Sequence, residues 1–178
     1  MAKPVSKSSR AQGSPVPLRV LIVEHNQADV ELAVKELERA GFQVSAEMAE
    51  TAEEFTQRLA QREYDVVLAD YRLPGWTGMD ALAILRQQGF TLPFILVTGT
   101  LGEERAVECI KQGVTDYVLK DHLVTLPLAV RRALDEQKLR GDRELAEEAL
   151  RESESKLDRK STRLNSSHIQ KSRMPSSA

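Results

Sequence analysis

The sequence predicts an α/β fold in which a five-stranded parallel sheet is doubly wound by five helices, the last of them extended. Two observations lead to this prediction. Short apolar runs alternate strictly with segments of helical periodicity from residue 18 onward. Each apolar run is almost wholly hydrophobic, which is typical of strands buried on both faces. Such strands belong to parallel sheets that are covered by helices on each side and joined by right-handed crossovers.

The first half of this pattern contains two strands and two helices. The run LRVLIV at 18–23 predicts a strand, and the helix after it, over 27–41, ends at Gly41, which is a favourable C-cap. Residues 42–49 are interpreted as the second strand. Thr51 is placed to cap the second helix, because an acid stands three residues on and apolar residues follow at helical spacing.

The second half begins with the run DVVLAD, which is too short for a helix and rich in valine, and therefore predicts a strand. Pro74, Gly75 and Gly78 are interpreted as turn formers after it, and Trp76 as a loop residue. The strands of this half are predicted at 65–70, 93–99 and 116–120, and its helices at 78–89, at 103–113 and from Leu123 onward.

Composition divides the chain into four parts. Residues 1–17 are rich in Ser, Pro, Gly and Lys and predict a disordered leader, and 18–135 form the globular domain. Residues 136–157 predict a helical linker or coiled coil, because a weak heptad pattern includes three leucines. Residues 158–178 resemble the translation of a DNA-sequencing adapter, so we expect a non-native tail and a natural protein that continues past about residue 157.

Charge and cysteine content restrict the function classes. All of the 27 acidic residues except Asp158 lie between residues 18 and 157, whereas eight of the 25 basic residues lie outside that span. A body this acidic repels phosphate backbones, which argues against nucleic-acid binding. The single cysteine, Cys109, cannot form an internal disulfide and is expected in the core. The sequence contains no apolar stretch of membrane-spanning length and no signal peptide, so a cytoplasmic location is expected.

Several chemically active side chains are predicted where strands end. Glu24 and His25 end the first strand, Asp70 the third, Thr98 the fourth and Lys120 the fifth. The carboxyl ends of parallel strands form the functional crevice of doubly wound sheets, so we expect these groups to converge. Together they are suited to phosphoryl transfer: Asp70 as nucleophile, a divalent cation to neutralise charge, and Lys120 with Thr98 to hold the phosphoryl oxygens.

The span 18–135 resembles a response-regulator receiver domain of two-component signalling, on the stretches VLIVEHN, DVVLADYRLPGWTGMDAL, PFILVTGT and DYVLK. The resemblance implies a flavodoxin-like fold with strand order 2-1-3-4-5. It also implies that Asp70 accepts a phosphoryl group from a partner's phosphohistidine. The stretch AEEALRESESKL is similar to connectors before PAS sensor domains, which implies a longer, bacterial receiver–PAS or histidine-kinase type protein.

The same resemblance assigns roles to further residues. Glu24 stands where the family has an acid that binds Mg²⁺ with Asp70, and the backbone carbonyl of Arg72 is expected as another metal ligand. Lys120 and Thr98 match the family's lysine and hydroxyl, and Tyr117 matches its aromatic switch residue. Phosphorylation is then expected to reshape the surface around the fourth helix and fifth strand.

His25 departs from the family pattern, in which a second acid usually ligates magnesium directly. Imidazole is a poor ligand for this hard cation. Three interpretations stay open: weaker Mg²⁺ binding by Glu24, Asp70 and water; a pseudo-receiver that acts as a protein-interaction module without phosphorylation; or a softer ion such as Mn²⁺ or Zn²⁺. The expected partner is a histidine kinase or phosphotransfer protein, the C-terminal helix offers a route to a homodimer, and no enzymatic role is expected beyond self-catalysed phosphotransfer and dephosphorylation.

Overall fold

The computed structural model describes residues 14–99 and 103–170, the side chains of 103–104 and 164–170 excepted. Its main sheet has five parallel strands in the order β2-β1-β3-β4-β5, as predicted. The strands are β1 (Val16–Val23), β2 (Phe42–Ala49), β3 (Val66–Asp70), β4 (Phe94–Thr98) and β5 (Asp116–Leu119). The helices are α1 (Gln27–Arg39), α2 (Ala52–Gln61), α3 (Gly78–Gln87), α4 (Glu103–Lys111) and α5 (Leu126–Gln170).

Apolar side chains cover both faces of the sheet, which explains why the strands are hydrophobic throughout. On one face, Leu37 of α1 and Leu126 of α5 are fully buried with side chains from β1, β3, β4 and β5. On the other face, Phe55 of α2, Leu85 of α3 and Cys109 of α4 are buried. Parallel sheets are typically covered by a layer of helices on each face, as this one is.

Local signals position the helices at the carboxyl end of the sheet. Asn26 caps α1 by accepting a hydrogen bond from the Ala28 N–H at 3.1 Å. Thr51 caps α2 as predicted, accepting from the Glu54 N–H at 3.2 Å. Thr77 caps α3 in a capping box with an acid. Each cap satisfies an N–H group that the first helical turn leaves unpaired.

Strand β1 begins two residues earlier than predicted, inside the segment interpreted as a leader. Val16 pairs with Phe42, and its N–H donates to the Gly41 carbonyl at 3.0 Å. Pro17 is tolerated because alternate residues of a strand face opposite neighbours: its nitrogen faces the β3 side, where pairing begins only at Val20. The rest of the predicted leader, residues 1–13, lies outside the described residues.

The segment after β3 is more ordered than the predicted turn. Residues 72–73 pair antiparallel with 76–77 in a short hairpin, and Gly75 has a φ of 82° between them. Trp76 is half-buried rather than free in a loop. Its ring centroid lies 6.3 Å from that of Phe55, and its Nε1 donates to the Glu50 carbonyl at 3.0 Å.

The chain after β5 also differs from the prediction. A 3₁₀ helix spans Lys120–Thr125, so α5 begins at Leu126 rather than at Leu123. Helix α5 continues to Gln170, past the predicted end near residue 157, and residues 171–178 lie outside the described part. The chain separates into two compact units, one ending at Asp135 and one beginning at Glu136. Among the described residues, no helix is long and apolar enough to span a bilayer.

The second unit is a solvent-exposed part of α5. Exposed ion pairs one turn apart join Arg140 to Glu144 at 3.1 Å and Arg143 to Glu147 at 3.0 Å. Leu139, Leu150 and Leu157 are exposed along the predicted heptad. Exposed pairs of this kind contribute only a few tenths of a kcal/mol each, about 0.3–0.5. Dimerisation through this helix stays a prediction.

A buried phenol at the edge of the sheet gives a pH-dependent prediction. Tyr64 donates to Glu47 Oε2 at 3.0 Å, and burial together with this carboxylate raises the pKa of Tyr64 to about 12. The hydrogen bond therefore stabilises the fold fully below pH 10, and its contribution is lost as the pH rises from 10 to about 12. We expect Tyr64→Phe to lower the free energy of unfolding by about 1 kcal/mol at pH 8. The deficit should shrink by pH 11 in urea unfolding, whereas Tyr117→Phe should show no such trend.

Candidate functional site

Of the side chains predicted to converge, Glu24 and Asp70 meet at Lys120 on the carboxyl edge of the sheet, and Thr98 ends the neighbouring strand there. Glu24 follows β1, Asp70 and Thr98 end β3 and β4, and Lys120 follows β5. Glu24, Asp70 and Thr98 are also the polar or charged residues buried within the described chain. Buried polar groups are costly unless they are paired, so this cluster is a functional candidate on physical grounds.

The centre of the site is the ammonium group of Lys120. Its Nζ lies 2.7 Å from Glu24 Oε2, 2.6 Å from Asp29 Oδ2 and 2.7 Å from Asp70 Oδ2. The Lys120 side chain is 20% exposed. Three carboxylates thus surround one cation, which leaves an excess of negative charge at the site.

The surrounding carboxylates keep Lys120 protonated. Burial by itself would lower the pKa of Lys120, but the hydrogen bonds that it donates to Asp29, Asp70 and Glu24 outweigh it and raise that pKa above its usual value of 10.5. Lys120 is therefore a permanent positive charge beside Asp70 at neutral pH. It can hold an anion, and it is unsuited to act as a general base.

Glu24 is held by the turn that leads into α1. Its Oε1 accepts from the backbone N–H groups of His25 at 2.8 Å and Asn26 at 3.1 Å. The His25 Nδ1 lies 2.9 Å from the same oxygen. Because a carboxylate only accepts hydrogen bonds, this geometry puts the proton on Nδ1 and leaves Nε2 for another partner. His25 is about half exposed, so it borders the site at the solvent side.

The acidic cluster fits a divalent cation. Glu24, His25 and Asp70 each offer one ligand atom, and these atoms lie within 4.8 Å of one another. The two carboxylate oxygens suit a hard cation such as Mg²⁺, and the excess negative charge attracts one. The imidazole of His25 suits a softer ion, so the donor set supplies fewer oxygen ligands than three carboxylates would.

Asp70 is fixed from both sides. Its Oδ1 accepts from the backbone N–H of Arg72 at 3.1 Å, and its Oδ2 accepts from Lys120. The structure therefore places the N–H of Arg72 at the site, and the predicted metal ligation by the Arg72 carbonyl stays a prediction.

Gly78 has a different role from the predicted turn former. It is the first residue of α3, and a Cβ there would lie 2.6 Å from the Asp70 carbonyl oxygen and 2.8 Å from Leu96 Cδ2. The glycine is thus required by the close approach of α3 to the residue that bears the central carboxylate.

Thr98 and Tyr117 lie on neighbouring strands at the β4–β5 side. Thr98 pairs with Leu119 and follows Val97, the residue opposite Asp70. Tyr117 pairs with Leu96 and is 41% exposed. The structure places both residues as the sequence predicted, and it does not show the predicted switch movement of Tyr117.

Asp29 is the site residue that the sequence analysis missed. It lies in the first turn of α1, not at a strand end, so a search of strand ends cannot find it. The available signal was an acid in the first turn of the helix that follows the acidic strand end. A cavity of about 20 Å³ borders Asp29, Glu24, Asp70 and Lys120, and it is large enough for about one water molecule.

Comparisons with known proteins identify the family of this domain. The family model of the response regulator receiver domain matches residues 20–130. Two-component system protein A of Emericella nidulans is 32% identical over 132 residues, which cover 66% of this chain and 19% of that protein. The chain thus spans about a fifth of the length of that relative.

Solved structures show the same fold. The receiver domain of the Francisella response regulator 1452 superposes with a TM-score of 0.60 at 23% identity, covering 67% of this chain and 98% of that one. The receiver domain of the sensor histidine kinase PA1611 from Pseudomonas aeruginosa superposes with a TM-score of 0.57 at 23% identity, covering 67% and 99%. This chain belongs to the response regulator receiver domain family.

Proposed function

We propose that this domain is a phosphoacceptor switch that takes a phosphoryl group on Asp70 from a histidine kinase or phosphotransfer protein. The observation that supports this proposal best is the pairing of Asp70 Oδ2 with Lys120 Nζ at 2.7 Å, at the carboxyl end of the central strand. A nucleophilic carboxylate next to a permanent positive charge is the arrangement that phosphoryl transfer needs.

In the proposed step, a carboxylate oxygen of Asp70 attacks phosphorus and forms an acyl phosphate. The P–N bond of the donor phosphohistidine breaks, and its electron pair stays on the imidazole nitrogen. Lys120 keeps its proton. Its ammonium group moves from the Asp70 carboxylate to a phosphoryl oxygen and offsets the negative charge on that oxygen. The hydroxyl of Thr98 donates to another phosphoryl oxygen.

A divalent cation held by Glu24, Asp70 and the Arg72 carbonyl would neutralise charge on the transferred group. The PA1611 receiver domain is described with a magnesium ion coordinated in its active-site cleft. The oxygen donors here favour the same ion, and Mn²⁺ is the alternative that His25 favours.

The output of the proposed switch is a population shift. Contact of Thr98 with the phosphoryl group, together with movement of Tyr117, favours a second arrangement of the surface formed by α4 and β5. The half-exposed position of Tyr117 is consistent with a residue that can change its packing. In this proposal the domain works in the cytoplasm and catalyses only its own phosphorylation and dephosphorylation.

Intact mass spectrometry of the full chain with acetyl phosphate tests the proposal. With Mg²⁺ we expect a gain of one phosphoryl group, as an Asp70 oxygen attacks phosphorus and acetate leaves with the bonding electron pair. Without Mg²⁺ and in Asp70→Asn the gain should be absent, while Asp121→Asn, an exposed neighbour of Lys120, should react like the wild type. A gain that survives in Asp70→Asn would refute Asp70 as the acceptor.

One observation favours a second candidate, a phosphorylation-independent interaction module. The Nδ1 of His25 lies 2.9 Å from Glu24 Oε1 and so occupies an oxygen that a cation needs. Calorimetric titration with Mg²⁺ separates the two candidates. Measurable Mg²⁺ binding supports the phosphoacceptor. No binding and no phosphorylation in the wild type, with both restored in His25→Asp, would support the interaction module.

A further inference from the structure

We propose that Asp29 is a positioning residue that holds Lys120 beside Asp70 while the phosphoryl group is transferred; this inference rests on the proposed function. Asp29 Oδ2 lies 2.6 Å from Lys120 Nζ, as close as either of the other two carboxylates. Asp29 belongs to α1, whereas Glu24 and Asp70 belong to the sheet edge. Its role therefore links a helix to the reacting group.

The carboxylates around Lys120 divide into two sets. Glu24 and Asp70 belong to the group whose ligand atoms lie close enough together to share one cation, and Asp29 does not.

Lys120 needs an anchor such as Asp29 because its side chain is long. A lysine side chain has many rotamers, and this freedom must be lost if its ammonium group is to stay at a fixed point. Lys120 also lies at the start of a 3₁₀ turn rather than inside a strand. Without a fixed partner its ammonium group would swing towards solvent before the phosphoryl oxygens that replace Asp70 are in place.

Asp29 is itself well fixed. The backbone N–H of Asp29 donates to the Asn26 carbonyl at 3.1 Å in the capped first turn of α1. Its side chain is one-third exposed, and it borders the same small cavity as Lys120. A short side chain on a capped helix is a rigid support, which is the property that positioning requires.

A purely structural role must be distinguished from this one. An acid in the first turn stabilises a helix through the macrodipole, and Asp29→Asn removes that contribution as well. Glu31, exposed on the same helix, provides a matched control. The two roles are distinguished by whether the effect of substituting Asp29 depends on the presence of Lys120.

The kinetic test measures the rate of phosphorylation of the full chain by acetyl phosphate at saturating Mg²⁺. We expect Asp29→Asn to lower this rate at least tenfold while the Mg²⁺ dissociation constant changes by less than threefold. Asp29→Glu should restore most of the rate, and Glu31→Gln should match the wild type. A rate in Asp29→Asn within twofold of the wild type would overturn the proposal.

The second test does not depend on phosphorylation. Urea unfolding without divalent cations is measured for the wild type, Asp29→Asn, Lys120→Gln and the double variant. We expect Asp29→Asn to lower the free energy of unfolding more when Lys120 is present than when glutamine replaces it. Additive effects of the two substitutions would overturn the positioning role. If the wild type takes up no phosphoryl group, the proposed function fails, and this cycle still decides whether Asp29 holds Lys120.

Discussion

Lys120→Met is expected to unfold with a free energy about 3 kcal/mol below that of the wild type when divalent cations are absent. The substitution keeps the apolar stem of the side chain and removes the positive charge that lies within 2.7 Å of three carboxylates. Two of these, Glu24 and Asp70, are buried, so solvent cannot replace the lost partner. Urea unfolding in a chelating buffer measures the difference.

Added Mg²⁺ should narrow the stability deficit of Lys120→Met, because without the ammonium group the carboxylates bind the ion more tightly, and an ion that binds only the folded chain stabilises it. Lys35→Met, on the exposed side of α1, is the control, and its free energy of unfolding should lie within about 0.5 kcal/mol of the wild-type value.

The dependence of stability on pH tests the same ion pairs. The pKa of Lys120 is raised above 10.5, so its contribution is complete below pH 10.5 and is lost as the pH rises through the raised value. A Lys120→Met variant as stable as the wild type would contradict the charge balance described for the site.

Gly78→Ala is expected to lower the free energy of unfolding by about 2–3 kcal/mol and to slow phosphorylation of Asp70. The added methyl group would lie 2.6 Å from the Asp70 carbonyl oxygen and 2.8 Å from Leu96 Cδ2, both closer than real contacts allow. Either α3 must move away from the sheet or the end of β3 must shift. Both responses alter Asp70, the proposed nucleophile, so stability and phosphorylation rate should fall together.

Gly141→Ala is the matched control for this prediction. A Cβ at Gly141 meets nothing within 4 Å, and the residue lies in the exposed part of α5. Replacing a helical glycine by alanine usually stabilises the helix by about 0.5–1 kcal/mol. The same substitution should therefore raise stability at Gly141 and lower it at Gly78. Urea unfolding together with intact-mass kinetics checks both variants. A Gly78→Ala protein with normal stability would show that α3 can move away from Asp70 at little cost.

The parallel sheet and most of the site could be predicted because they follow from a simple rule, whereas the order of the strands was implied by the family resemblance. Strands buried on both faces are parallel, and parallel strands end at one edge, so Glu24, Asp70, Thr98 and Lys120 had to meet. Asp29 and Gly78 escaped prediction for a common reason. Their roles depend on how closely a helix approaches the strand ends, and no local pattern in the sequence records that distance.

Two of the wrong element boundaries have physical reasons. Pro17 looked like the end of a leader, yet a proline fits a strand wherever its nitrogen faces no neighbour. The end of α5 was predicted near Leu157 because the apolar periodicity stops there, yet the helix continues to Gln170. An exposed helix needs no apolar face, so periodicity is a poor guide to its length.

The ion cluster joins residues that are synthesised far apart in time. Lys120 contacts Glu24 across 96 residues and Asp29 across 91. At roughly 5–20 residues per second, the two acids leave the ribosome roughly 5 to 20 s before their counter-charge. During that interval, burial of the carboxyl end of β1 would enclose an unpaired charge. We therefore expect this edge of the nascent domain to stay open until the chain as far as Lys120 has emerged.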